Sequence, residues 1–104
     1  MKAALAEARS AARGGEVPVG AVIVKNGEII ARGRNRREEK QNALSHAETE
    51  AINAACKYLG SWRLDGCEMY VTLEPCSMCT GAIINARIST LVFGAYDLKA
   101  GCID

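Results

Sequence analysis

Histidine occurs once in these 104 residues, proline twice, and Phe, Trp and Tyr together make up 5%. Neither sign of charge dominates. The net charge is +1, so no overall basicity points to nucleic acid. No run of about 18 apolar residues appears, and no membrane span is expected. The N-terminus lacks the basic-then-apolar layout of a signal peptide, which points to the cytoplasm. The five cysteines are odd in number, whereas a secreted disulfide framework normally uses an even count. Repeats, low-complexity tracts and linkers are also missing. With 49% apolar and 24% charged residues, the composition predicts a single soluble domain over residues 1–104 with one small core.

The pattern of apolar residues predicts an α/β fold. Ala4, Leu5, Ala8 and Ala12 recur at helical spacing over residues 2–13, and Gly14-Gly15 stops that helix. Val17–Val24 and Glu28–Arg34 read as strands joined across Asn26-Gly27, a strong hairpin turn, so they should pair antiparallel. Residues 32–42 are polar and rich in arginine. They suit a solvated loop or a patch that contacts phosphates. A helix is expected from His46 to Leu59, with Glu48, Ile52, Ala55 and Leu59 facing inward and Gly60 ending it. A strand over 67–73, a helix over 76–87 and a strand over 90–95 follow, and strand–helix–strand implies parallel pairing. The expected architecture is a mixed sheet with helices on its faces.

Two short patches carry the chemistry: His46-Ala47-Glu48 and Pro75-Cys76-Ser77-Met78-Cys79. Cys76 and Cys79 lie three apart at a helix start, so both sulfurs share a side, and the positive helix end favours the thiolate that binds metal. With His46 they form a three-ligand set, which leaves one position of a tetrahedral zinc open for water, as in catalytic sites. Glu48 then stands as the acid/base beside the ion. His46 and Glu48 can face one site if His46 caps the helix and Glu48 lies in its first turn. H-x-E followed by P-C-x-x-C is the known signature of the zinc nucleobase deaminases. Each half also has an ordinary reading. Ser45-His46-Ala47-Glu48 is a capping box in which Glu48 would bond the backbone of Ser45. A C-x-x-C pair serves redox chemistry or half of a structural zinc site, whose fourth ligand could come only from Cys67 or Cys102. Cys56, Cys67 and Cys102 have no motif around them and read as small core or surface thiols.

Beyond these motifs the sequence resembles the bacterial tRNA-specific adenosine deaminases, within the cytidine deaminase-like three-layer α/β/α fold. The resemblance runs through Glu16 to Val22, Gly33 to Arg36, His46 to Glu48, Tyr70 to Ile83 and Val92 to Asp97, nearly the whole chain. It implies a homodimer with one zinc per subunit, held by His46, Cys76 and Cys79, that converts adenosine to inosine at the wobble position of a tRNA anticodon. It also implies that Asn35 contacts the target base, and that Val19, Ala47 and the backbone amide of Cys76 line the base pocket. The partner would be an anticodon loop or other single-stranded nucleic acid, whose base is already splayed from the stack. Members of the family usually continue past the stretch matching Asp97 to Gly101 into another strand and a C-terminal helical segment that helps hold RNA. This chain ends at Asp104, so an open sheet edge is expected. Asn42-Ala43-Leu44-Ser45 replaces the family's usual Pro-Thr-Ala before the histidine, near the expected pocket. Competing readings are a deaminase of a free base or nucleoside of the guanine or cytosine type, a silent zinc-binding relative, and a redox C-x-x-C protein.

Overall fold

The computed structural model describes residues 1–95, so Cys102 lies outside the described residues. The chain runs α1 (Lys2–Arg13), β1 (Gly20–Lys25), β2 (Glu28–Arg34), α2 (Arg37–Lys40), α3 (Ala47–Leu59), β3 (Cys67–Val71), α4 (Ser77–Asn85) and β4 (Thr90–Phe93). Asn26 and Gly27 both take positive φ, +53° and +79°, as a tight two-residue hairpin requires, and β1 and β2 pair antiparallel across them. β1 also pairs antiparallel with β3, and β3 pairs parallel with β4 through the α4 crossover. The mixed sheet has the order β2-β1-β3-β4.

Strand alternation assigns the two faces. One face presents Ala21, Ile23, Ala31, Met69 and Val71 to Ala47, Ala51 and Ala55 of α3 and Ile83 of α4, and these residues form the core. The other face is covered over β1 and β2 by α1, which buries Ala4, Ala8 and Ala11. Three layers result, α/β/α, as the resemblance implied.

Small residues set how closely the helices approach. A Cβ on Gly20 would come within 2.5 Å of Ala8 N, and one on Gly33 within 2.6 Å of Ala51 N and nearer still to the Ala47 carbonyl. Both helices therefore lie almost on the strand backbone. The inward stripe expected for α3 holds at Glu48 and Ala55 and is corrected elsewhere: Ala47 and Ala51 face the sheet with them, while Ile52 and Leu59 are half-buried at its margins. Larger side chains would hold the helix off.

Several boundaries also move. β1 begins at Gly20 and not Val17, β3 ends at Val71, and β4 ends at Phe93. The polar stretch 32–42 is not one loop. Arg32 and Arg34 belong to β2 and extend over α1, where both pair with Glu7 at 4.0 and 3.8 Å. Arg37–Lys40 form the short α2, which contributes no buried side chain.

Because the Gly33 contact is backbone against backbone, no rotamer change can relieve it. Gly33→Ala should destabilise the fold by about 1–3 kcal/mol, read from urea or thermal unfolding. Unchanged stability would refute the close approach of α3.

Candidate active site

The first turns of α3 and α4 meet on the same side of the sheet, near the carboxyl ends of β2 and β3. His46 is the N-cap of α3 and Cys76 the N-cap of α4, both in extended conformation, and Cys79 sits one turn into α4. His46 Nδ1 lies 3.7 Å from Cys76 Sγ and 3.5 Å from Cys79 Sγ, and the three donor atoms all fall within 4.8 Å of one another. A tetrahedral zinc with Zn–N of about 2.0–2.1 Å and Zn–S of about 2.3 Å has N···S edges of roughly 3.5–3.6 Å. One nitrogen and two sulfurs at this spacing fit that ion. Neither Cys67 nor any other described residue joins the group, so the fourth ligand a structural site wants is not supplied among the described residues.

Helix capping decides what Glu48 is free to do. The helix starts one residue later than a Ser45 cap requires. The main-chain N–H of His46 is taken by Thr49 Oγ1 at 3.1 Å, and Thr49 also bonds the carbonyls of His46 and Leu44. Thr49 thus fills the reciprocal capping position expected of Glu48. The Glu48 side chain is left in the wall of the site, only 4% exposed. Burial pushes its carboxyl above the ordinary value, opposed in part by its own main-chain N–H and by the Cys79 thiol. Burial, then the Glu48 and Cys76 charges, holds the Cys79 thiol well above the usual thiol range. Two effects compete here, since the helix terminus favours thiolate while burial and negative neighbours disfavour it. A divalent cation held by the three donors would settle the contest, because coordination deprotonates a thiol outright. Burial, helped by the Arg37 guanidinium, pulls the His46 imidazole down, which keeps it in the neutral form that ligates.

Beside these groups lies a cavity of about 160 Å³, smaller than the roughly 300–1,000 Å³ typical of drug-sized ligand pockets. His46, Glu48 and Cys76 line it, and Val17, Val19, Ala47 and Leu73 add apolar lining. Asn35, 5% exposed, also lines it, and its Oδ1 accepts the Arg37 N–H at 3.1 Å. That bond leaves Nδ2 as the donor available to a ligand. All seven residues expected at the site are therefore brought to one place. The segment Asn42–Ser45 is not. Asn42, Leu44 and Ser45 line a separate hollow with Thr49 and Met78.

A model of the MafB19-like deaminase family matches residues 1–103. The chain belongs to the MafB19-like deaminases. It is 57% identical over 102 residues to the tRNA-specific adenosine deaminase of Bacillus subtilis (strain 168), an alignment that takes in 98% of this chain and 63% of that protein. The chain thus spans less than two thirds of that relative's length. A solved structure from work on A-to-I editing by tRNA:A34 deaminases at the wobble position of transfer RNA superposes with a TM-score of 0.98 at 51% identity, covering all of this chain and 80% of that one. Guanine deaminase from Bacillus subtilis superposes with a TM-score of 0.88 at 44% identity, over 91% of this chain and 61% of that one.

In this MafB19-like deaminase the cavity also has Val17, Arg37, Leu73 and Glu74 in its wall, which sequence reasoning did not single out. Leu73 and Glu74 directly precede Pro75-Cys76, so adjacency to the motif was an available signal. For Arg37 there was none, because arginines crowd that stretch.

Metal binding must expel the proton that burial holds on Cys79, so zinc affinity should fall as pH falls. The rise in melting temperature on adding zinc should shrink from pH 8 to pH 6 and vanish in Cys79→Ala. A zinc-independent melt at both pH values would show that the three donors hold no ion.

Proposed function

We propose that this chain is the zinc-dependent catalytic domain of a hydrolytic deaminase that converts adenosine to inosine at the wobble position of a tRNA anticodon. The observation that carries the reading is Glu48, a buried carboxylate released from helix capping and standing between a three-donor metal group and a small cavity. The relatives' activity on tRNA adenosine supplies the substrate class. By extension we infer a homodimer with one zinc per subunit, acting in the cytoplasm.

His46 Nδ1, Cys76 Sγ and Cys79 Sγ would hold the zinc, which supplies an activated water at neutral pH. Glu48 takes the proton of that water on its carboxylate and delivers it to the ring nitrogen next to the amine-bearing carbon. It then takes the remaining proton of the added hydroxyl, as the carbon–oxygen double bond forms, and gives it to the departing amine, which leaves as ammonia. The raised carboxyl makes Glu48 a willing donor in the second half of this cycle. Asn35 Nδ2 orients the ring by donating to an acceptor on its edge, and Val19 and Ala47 press on its faces and exclude water. The Cys76 main-chain amide would add a donor at the helix terminus.

Of the four arginines in 32–37, Arg32 and Arg34 are paired with Glu7 behind the sheet, and Arg36 is paired with Glu39 at 4.0 Å. Arg37 is exposed and lines the cavity mouth. It is the arginine we assign to a phosphate of the RNA backbone. A deaminase acting on a free base is the second reading, favoured by the small cavity and by the likeness to guanine deaminase.

Inosine should form in a short anticodon stem-loop RNA incubated with zinc-loaded protein. Glu48→Gln should lower that rate by about 10²–10⁴ while stoichiometric zinc is kept. Turnover of guanine or cytidine with none of the RNA would establish the second reading instead. Arg37→Ala should weaken stem-loop binding and flatten the slope of log K against log salt by about 0.7, the value for one single-strand phosphate. An unaltered slope would remove Arg37 from the RNA contact.

A further inference from the structure

Asn35 and Arg37 reach the cavity from the start of α2, yet this four-residue helix buries none of its own side chains. Apolar packing cannot be what fixes it. The fixing group comes from elsewhere in the chain. Glu16, between α1 and β1 and 9% exposed, directs both carboxylate oxygens at α2: Oε1 accepts the Glu38 N–H at 3.1 Å and Oε2 the Glu39 N–H at 2.8 Å. Asn35 Oδ1 takes the Arg37 N–H of the same turn. Three consecutive main-chain donors of α2 are thus satisfied by two side chains, and one of those side chains is the proposed base-contacting residue.

We propose that Glu16 is a positioning residue for substrate, acting through α2 to hold the Asn35 amide and the Arg37 guanidinium in the cavity lining. This rests on the deaminase reading above and deepens it. Competing anchors are weaker. Lys40 pairs with Glu50 at 2.9 Å, but the lysine is exposed and the pair is screened by water and salt. The Arg36 N–H bonds the Ser45 carbonyl at 2.9 Å, which ties the turn toward α3 without fixing its rotation. The Glu16 bonds are charge-assisted, two to one carboxylate, and shielded from solvent, the combination that makes such bonds strong. Glu16 also adjoins Val17 and sits three residues from Val19, both in the cavity wall. A purely structural cap would matter only to folding, whereas a positioning residue also changes how substrate is held.

The test compares Glu16→Ala and Glu16→Gln with the parent by amide hydrogen exchange and by steady-state kinetics on the stem-loop RNA. In Glu16→Ala, exchange at the Glu38 and Glu39 amides should quicken about tenfold or more while β1 and β3 amides keep their protection. KM should rise about tenfold, with kcat within about twofold of the parent. Glu16→Gln keeps one acceptor oxygen and should recover part of both effects. If the alanine variant does not fold, the glutamine variant decides by the same readouts. Unchanged exchange at both amides would overturn the proposal, as would faster exchange with an unchanged KM or a loss confined to kcat. A parent that makes no inosine would instead sink the RNA reading, and exchange alone would then decide whether Glu16 holds the turn.

Discussion

The site depends on how closely α3 lies on the sheet. Glycine at 33 and alanines at 21, 31, 47, 51 and 55 let the helix backbone settle almost onto the strands. That approach brings the His46 cap to the Cys76 cap. One larger residue in this layer would lift the helix, and the separation of imidazole and thiols would grow past the reach of a single ion. The metal group is thus a consequence of small-residue packing as much as of its own three side chains.

The second constraint is the division of labour among capping groups. Thr49 makes the reciprocal cap of α3 and Glu16 and Asn35 close α2, so Glu48 is not needed as the cap partner of His46. A buried carboxylate is costly to keep, since burial disfavours its charge. In a catalytic setting that same burial becomes useful, because a raised carboxyl can give back the proton it takes. Electrostatics within the cavity run the same way. Desolvation keeps His46 neutral, while the Cys79 thiolate needs a cation beside it.

Charge sorting across the sheet explains how a chain of net charge +1 could meet a polyanion. Alternation along β2 sends Arg32 and Arg34 to the face covered by α1, where Glu7 pairs with them. The chain then turns, and Arg37 emerges on the cavity side. A cluster that looks uniform in sequence is divided by strand geometry into structural and surface members. Composition averages over that division and cannot reveal it.

Sequence alone determined what depends on local spacing and chemistry. The hairpin at Asn26-Gly27, the extents of α1 and β2, the parallel crossover through α4 and the spacings within His46-Ala47-Glu48 and within Cys76-Ser77-Met78-Cys79 follow from neighbours a few residues apart, whereas the fold brings those two patches together. Where an element was misjudged, tertiary contact was the cause. Ala47 and Ala51 displaced Ile52 and Leu59 from the inward face because proximity to strand backbone counted for more than hydrophobicity. His46 caps α3 with Glu48 in the first turn, as expected, and the reciprocal bond of the cap falls to Thr49 because the helix begins at Ala47. The tie from Glu16 to residues 22 and 23 positions away, and the selection of Arg37 from its neighbours, had no local signature at all. Such pairings exist only once distant segments are folded together, since a main-chain N–H acquires a partner by position in space and not by position in sequence.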